Sequence, residues 1–515
     1  MRPIDFFDTA ADAHGDCLAV IDGDERFSFD GLRTASNALA AFLQESSGDT
    51  PATVAIVAPN GAHVVVCTLA AMRAGAAIAP VHVKESEQRK SDFLAQVRPR
   101  WVFYHSTEAA AMRSVKSRLA ETTKWVCIDD RIDGDLALTD MIGAEGRPLR
   151  DWGDAYGSPS WPVYIRQTSG STGAPKTIVN DIGSYAATMS VLRQVLKSDV
   201  AKPTCLVIAP LSHAAGVHAF AMLTLGATLI VTNDFSPRRV LRTIEAHRVT
   251  HMWLPPTALF MLLNVAREEH VDCSSLRSVA LGSAPTSVAR LREAVTLFGP
   301  CVSVCYAQIE AGFLTWLDSA TLGAALAGCH PERAQSVGAS LCVSRVAIEA
   351  EDGRLVESGN VGEIVVRGRS VKPYLDGEGI DAAHERGWHH TGDAGYFDRD
   401  GYLYIVGRKK DTINTCGFKV SASEVEHVIL ELPQVGDCAV VGIPDAMRGE
   451  IITAAIVVRH DAEITNGALL RHCRKRLGDA KSPRHVVRCV ELPKSAVDKV
   501  DKHALKARLI EAIET

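Results

Sequence analysis

Short β-branched runs alternate with helix-period segments through roughly the first 300 residues of this 515-residue chain, a pattern that restricts the fold more than any other feature. TVAIVA (53–58), WVFY (101–104), TCLVIAP (204–210), TLIV (228–231), SVALG (278–282) and CVSVCY (301–306) read as strands. Helical segments such as RVLRTIEAH (239–247) and TSVARLREAVTLFG (286–299) fall between them. Strands joined through helices run parallel, so the pattern predicts parallel sheets covered by helices. After residue 340 the texture changes. VSRVAIEAEDGRLVESGNVGEIVVRG alternates apolar and polar residues around turn signals such as Asp352-Gly353, which predicts antiparallel strands. GYLYIVGRKKD (401–411) ends a strand in a charged connector, the candidate hinge. Beyond it a helix from Ser423, strands DCAVVGI and IITAAIVV, and a basic helix RHCRKRLGD make a tail of about 100 residues, enough for a small domain. The expected class is α/β: a large N-terminal domain (1–407) of helix-covered sheets plus a β-rich subdomain, with a small mobile α+β C-terminal domain (408–515).

The length exceeds what one hydrophobic core serves, in keeping with two or more domains. A net charge of −6 argues against a general nucleic-acid or membrane-surface binder, although small anions could still find local basic sites. The acidic N-terminus lacks the apolar core of a signal peptide. The longest apolar run, 219–231, falls short of the ~18 residues of a membrane span. Thirteen cysteines are scattered without CxxC pairs, as free thiols in a reducing cytoplasm would be. Oligomeric state is not legible.

The stretch QTSGSTGAPKTIVN (167–180) follows the strand VYIRQ. Its glycines let backbone N–H groups turn toward an anion, its hydroxyls add donors, and Lys176 adds a point charge. A Walker A loop needs GxxxxGK[ST], whereas the spacing here is G-x-x-G-x-x-K with Pro175 before the lysine. On this stretch alone, a phosphate cradle and a Ser/Gly surface linker both remain open.

The loop resembles the (T/S)SG(S/T)TGxPK phosphate loop of the adenylate-forming superfamily: acyl- and aryl-CoA synthetases, peptide-synthetase adenylation domains and luciferases. Further segments resemble that family in order: PLSHAAG (210–216), LGSAP (281–285), YAQIEAG (306–312), GWHHTGDAGYFDRDGYLYIVGRKKD (387–411), INTCGFKVSASEVE, and LPKSAVDKVDKHAL (492–505). The resemblance spans nearly the whole chain.

The resemblance implies ATP, Mg²⁺ and coenzyme A as cofactors and co-substrates. By it, Thr168, Ser169, Gly170, Ser171, Thr172, Gly173 and Lys176 would clamp the β- and γ-phosphates. Gly282, Ser283, Ala284 and Tyr306 would lie on the adenine side. Glu310 would hold Mg²⁺, Asp393 would accept from the ribose hydroxyls, and Arg408 would reach the ribose or phosphate. Lys499 fits the C-terminal lysine that bridges carboxylate and phosphate during adenylation. Asp411 falls at the hinge, while Gly417 and Phe418 lie on the loop that would line the pantetheine tunnel. His213 stands where the family has an aromatic or histidine gate between acyl pocket and tunnel; a core histidine at a strand end is the other reading. Ala214 occupies the position where amino-acid-activating members carry an acidic residue, which points to a plain carboxylic acid. Ala214, Gly216, Val217, Ala307 and Gly312 suggest room for a bulky, apolar acyl or aryl group. GFKV favours CoA over a carrier-protein thiol.

Several departures from the family pattern cluster on the ATP-using half, while Cys416 stands in for a small or polar residue on the thioester loop. Thr177 replaces a glycine after the loop lysine, Ala307 and Ile309 replace the glycine and threonine of YGxTE, and Asp498 replaces the glycine before Lys499. Losing the threonine hydroxyl from the α-phosphate would cost ~1.5–3 kcal/mol, roughly one to two decades in rate. Three functions follow: a complete acid:CoA ligase; an enzyme restricted to making thioester from a supplied acyl-adenylate; or a catalytically silent acyl- or nucleotide-binding paralogue.

Overall fold

The computed structural model describes residues 1–45, 52–143, 148–150, 156–167, 176–233, 235–266, 268–269, 271–372, 387–416, 418–445, 447–459, 462–495 and 499–514. The alternating segments build two large sheets. One runs in the order Leu136–Ala137, Lys124–Cys127, Trp101–Tyr104, Thr53–Val57, Ala77–Val81, Pro162–Gln167 and Thr177–Asp181. The other has a parallel centre made of Val302–Gln308, Ser278–Leu281, His251–Leu254, Thr204–Val207 and Thr228–Val231. The N-terminal strand Leu18–Asp22 joins this second sheet between its own hairpin partner Glu25–Ser28 and the strand Thr228–Val231, Val20 standing opposite Leu229 far downstream.

The helix Ala62–Ala74 (AHVVVCTLAAMRA) has no polar stripe, and residues on every face of it are buried. A helix apolar all round belongs inside the protein. It shares one core with Val54 and Trp101 of the first sheet, Cys205 and Leu229 of the second, and the helices Ile182–Leu196 and Ala214–Leu223. The apolar run at 219–231 is split between that last helix and the strand Thr228–Val231 by Gly226. Gly226 has φ +83°, and a Cβ there would lie 2.3 Å from the His14 ring, so only glycine fits the turn. Among the described residues, no helix is long and apolar enough to cross a membrane.

The β-rich segment is an antiparallel sheet of Ser344–Glu349, Gly362–Gly368, His389–Phe397 and Leu403–Arg408, as the alternation predicts. The next strand, Thr412–Thr415, belongs to the tail's own sheet with Phe418–Ser421, Gly449–Val458, Val435–Asp445 and His485–Arg488. Arg290, on the helix Val288–Phe298, holds the tail against the large domain. Its Nη2 donates to the Gly436 carbonyl at 2.7 Å, and its guanidinium lies 4.4 Å from the Phe260 ring centre. Arg459 of the tail adds an ion pair to Glu293 at 3.1 Å.

Two core histidines make this fold acid-sensitive. His218 and His251 are each 1% exposed. Burial lowers His218 to about 3, with a smaller effect from His251. Burial likewise lowers His251 to about 4, against the pull of its bond to the Leu196 carbonyl. Both folded values lie below the ~6.5 of an unfolded histidine. The unfolded chain therefore takes up protons below that pH that the folded chain refuses, and stability falls as pH drops through this window. At about pH 5 the loss is roughly 2 kcal/mol per histidine. Guanidinium melts at neutral pH and at about pH 5 check this, with H218Q and H251N each expected to flatten the dependence.

Candidate active site

One cavity of about 1350 Å³ lies where the strand ends of the large domain, the hinge and the tail meet. The strand Val302–Gln308 reverses through Ile309–Ala311 into Gly312–Leu317, and a register shift at Tyr306/Ala307 turns this corner into the cavity. Ala307, Gln308, Ile309, Glu310 and Gly312 all line it. Gly312 has φ +75°, and a Cβ there would stand 3.3 Å from Thr188 Oγ1, so the corner admits no side chain comfortably.

His213 caps the helix Ala214–Leu223 and enters the same cavity beside Ala214 and Val217. Its ring packs edge-on against His82, centroids 5.3 Å apart, and its Nδ1 lies 2.8 Å from Ser212 Oγ. Burial, then the charges of His82, Arg166 and Lys499, lowers its pKa to about 3. The imidazole is neutral at physiological pH and cannot act there as a fixed cation.

Asp393 is held behind the wall, 5% exposed. Its Oδ2 accepts from Tyr306 Oη at 2.6 Å and Gln308 Nε2 at 2.7 Å, and its Oδ1 pairs with Arg408 Nε at 3.0 Å. Asp393 and Arg408 face each other in register on adjacent strands, which is why the sequence positions converge. Burial, then Asp393, raises the Tyr306 phenol well above its ordinary range and keeps it a donor.

Lys499 is held through its backbone: Lys494 bridges Val500, and Ser495 N–H donates to the Lys499 carbonyl at 2.8 Å. Its side chain has free surface toward the cavity, yet protein surrounds it. Burial, then Arg408, lowers its pKa, opposed by Glu310 and Asp393. Lys176 and Ser283 complete the wall, Ser283 at φ +79° in the left-handed region.

Lys499, Glu310, His213, Lys176, Ser283, Arg408, Ala214, Val217, Ala307 and Gly312 thus share one cavity. Thr168 to Gly173, Gly417 and Asp498 lie outside the described residues. One expectation changes. Gly216 does not supply pocket space: a Cβ there would lie 1.8 Å from the Leu211 carbonyl oxygen, so the glycine lets the PLSHAAG turn close on itself. Gly282 packs closely, its Cβ site 2.4 Å from Trp253. Thr177 is fully buried, and its Oγ1 donates to Gln96 Oε1 at 2.7 Å. Ala284 is exposed, Phe418 is 54% exposed at the head of its strand, and neither lines the cavity. Asp411 stands 3.8 Å from Lys502 across the connector.

Sequence reasoning missed Gln308, His82, Arg166 and Lys372. For Arg166 a signal existed: in VYIRQ it shares the alternation of Tyr164, a charged residue on a strand whose neighbours are buried. Lys372 is 4% exposed, and burial, then the Arg166 charge, lowers it to about 7.

The donor set fits Mg²⁺ that arrives with phosphates. Such an ion takes one or two carboxylates and fills its shell with phosphate oxygens and water. Glu310 faces the cavity, while no group of three or more His, Cys, Asp or Glu side chains gathers among the described residues. Glu310 would hold the ion, which would neutralise phosphate charge.

The family described as AMP-binding enzyme matches residues 7–374, and the AMP-binding enzyme C-terminal domain matches residues 424–499. The medium/long-chain-fatty-acid–CoA ligase FadD8 of Mycobacterium tuberculosis is 36% identical over 368 residues, 68% of this chain and 62% of that ligase's length. The 3-[(3aS,4S,7aS)-7a-methyl-1,5-dioxo-octahydro-1H-inden-4-yl]propanoyl:CoA ligase of the same organism is 31% identical over 504 residues, 95% of this chain and 96% of that one. The amide bond synthetase McbA from Marinactinospora thermotolerans superposes with a TM-score of 0.87 at 26% identity, over 98% of this chain and 99% of that chain. The chain belongs to the AMP-binding enzyme family.

Proposed function

We propose that this protein activates a carboxylic acid with ATP as an acyl-adenylate and transfers the acyl group to CoA. It is an AMP-forming acyl-CoA synthetase. A carboxylate repels nucleophiles and would have to expel oxide; joined to AMP, it gains a good leaving group. In the first half-reaction the carboxylate oxygen bonds to the α-phosphorus and the bond to pyrophosphate breaks. In the second the CoA thiol bonds to the acyl carbon, and AMP leaves with the bonding pair. The observation that carries this reading is Lys499 of the tail in one cavity with Lys176, Arg408 and Glu310 of the large domain and hinge. Cations gathered around a site of developing phosphate charge stabilise the transition state of the first half-reaction. The exposed Phe418 then suits a second arrangement, in which the tail turns about 408–411 to bring its loop to the cavity.

The full ligase is favoured over a thioester-only enzyme because Thr177, one apparent defect, is accommodated by Gln96 away from the cavity. Acid-dependent ATP–pyrophosphate exchange tests the first step, and synthetic acyl-adenylate plus CoA the second. Thioester formed without exchange would leave only the second half-reaction. Inactivity in both assays with AMP still bound would make the protein a silent binder. Amide formed from a supplied amine in preference to thioester would move it toward the McbA type of reaction. Ile309 remains the weak point, an apolar side chain facing the cavity. Ile309→Thr is expected to raise exchange by about tenfold or more, the value of one donor to a charged phosphate; unchanged exchange would refute that account.

A further inference from the structure

Two cations reach this cavity with no carboxylate within ion-pair distance among the described residues. Arg166 lies with its guanidinium carbon 4.1 Å from the centre of the Tyr164 ring, and its Nε is buried with no hydrogen-bond partner. Lys372 donates from Nζ to the Ile309 carbonyl at 2.5 Å. Among the described residues neither makes an ion pair. Both line the cavity, as do Tyr164, Tyr185, Thr188 and Asn180. Asn180 stands opposite Tyr164 across the hairpin, and its Oδ1 is also buried without a partner. Lys372 Nζ lies 3.8 Å from the Cβ site of Gly312, so this polar end adjoins the corner that leaves room for the acyl group.

A pocket for a plain hydrocarbon has no use for this arrangement. Glu310 and Asp181 favour the charge of Lys372 from beyond ion-pair distance, and the Tyr164 face repays only part of the cost of taking the Arg166 guanidinium out of water. Of these two acids Glu310 lines the cavity, and the metal and phosphates would claim it. An anionic group on the occupant would pair with both cations.

We infer that the acid this protein activates carries a second anionic group, in the simplest case a second carboxylate, held by Arg166 and Lys372 while the other carboxylate is adenylated. The inference rests on the acyl-adenylate reading and narrows it to dicarboxylic acids or acids with an equivalent anion. A guanidinium presents two parallel N–H donors to such a group, and an ammonium adds a point charge.

The test uses acyl-sulfamoyl-adenosines, unreactive stand-ins for the acyl-adenylate, titrated calorimetrically into the full chain. They are made in pairs of equal length, one ending in methyl and its twin in carboxylate, with benzoyl and carboxybenzoyl forms added. In at least one pair the carboxylate twin is expected to bind about tenfold tighter or more, as a charge-assisted contact in a buried site gives. R166M and K372M should each bring that ratio toward one, and R166K should keep part of it. Twins that bind alike throughout the panel overturn the inference, as does a preference that survives both substitutions. Should a variant fail to fold, the wild-type ratio still decides. Methyl twins binding as well as carboxylate twins, with exchange on monoacids, would leave the ligase standing and remove only the second anion. Failure of every analogue to bind would remove the acyl-adenylate reading as well.

Discussion

Lys499→Ala is expected to lower acid-dependent ATP–pyrophosphate exchange by at least about a hundredfold, the scale on which a positioned donor to developing charge acts. Thioester formation from supplied acyl-adenylate should change far less. Lys499 is carried by the tail, and its ammonium shares a cavity with Glu310, Lys176 and Arg408. The backbone next to it is held by the Lys494–Val500 bridge. Arg408 disfavours its charge and Glu310 and Asp393 favour it, as in a site tuned to receive an anion. The second half-reaction asks for a thiol at the acyl carbon, where a lysine poised for the phosphate has nothing to neutralise. Lys499→Arg keeps the charge but changes its shape, and a partial rescue of exchange would mark a positional role. Equal losses in both half-reactions would show that Lys499 matters to the fold rather than to adenylation.

Asp393→Ala is expected to raise the KM for ATP by about 10- to 100-fold, the value of a charge-assisted hydrogen bond to the nucleotide, and to destabilise the free protein as well. The carboxylate is the acceptor for Tyr306 and Gln308 and the partner of Arg408. Removing it takes the acceptor at 2.6 Å from the buried Tyr306 phenol and leaves Gln308 Nε2 with the Thr391 carbonyl, while Arg408, 45% exposed in its side chain, recovers much of its loss from water. Asp393→Asn keeps the shape and should restore much of the stability without the nucleotide affinity. Exchange kinetics in ATP and thermal melts with and without AMP separate the two effects. A lower melting temperature with unchanged AMP affinity would reduce Asp393 to a structural residue.

Those two positions mark how far local sequence carries. The motif resemblance named Asp393, Arg408 and Lys499, and the cavity gathers Arg408 and Lys499 with Asp393 directly behind. It did not reveal that Arg408 already occupies the carboxylate through the register of two strands. For both ribose hydroxyls to be bound by Asp393, one of the contacts its carboxylate already makes must open. Gly216 shows the opposite error. A glycine among alanines reads as pocket space, whereas the approach of the Leu211 carbonyl makes it a turn that must close tightly. Thr177 reads as a defect in the loop, yet it points to Gln96, a residue on a distant helix that no pattern in the loop could announce.

The sequence by itself determined the periodicities, and with them most of the elements. Period-two runs became strands, apolar stripes became helices, and the change of texture near residue 340 became an antiparallel sheet, because each depends on where neighbouring side chains point. The ordered motifs determined the family. Only the tertiary structure decided what depends on chain segments meeting across long separations: the N-terminal strand pairing beside Leu229, Arg290 holding the tail, and Arg166 facing one cavity with Lys372. Burial is what makes that last encounter matter. An arginine in one strand and a lysine far downstream are ordinary charges in water, and become a demand for an anion only when folding removes the solvent that balanced them.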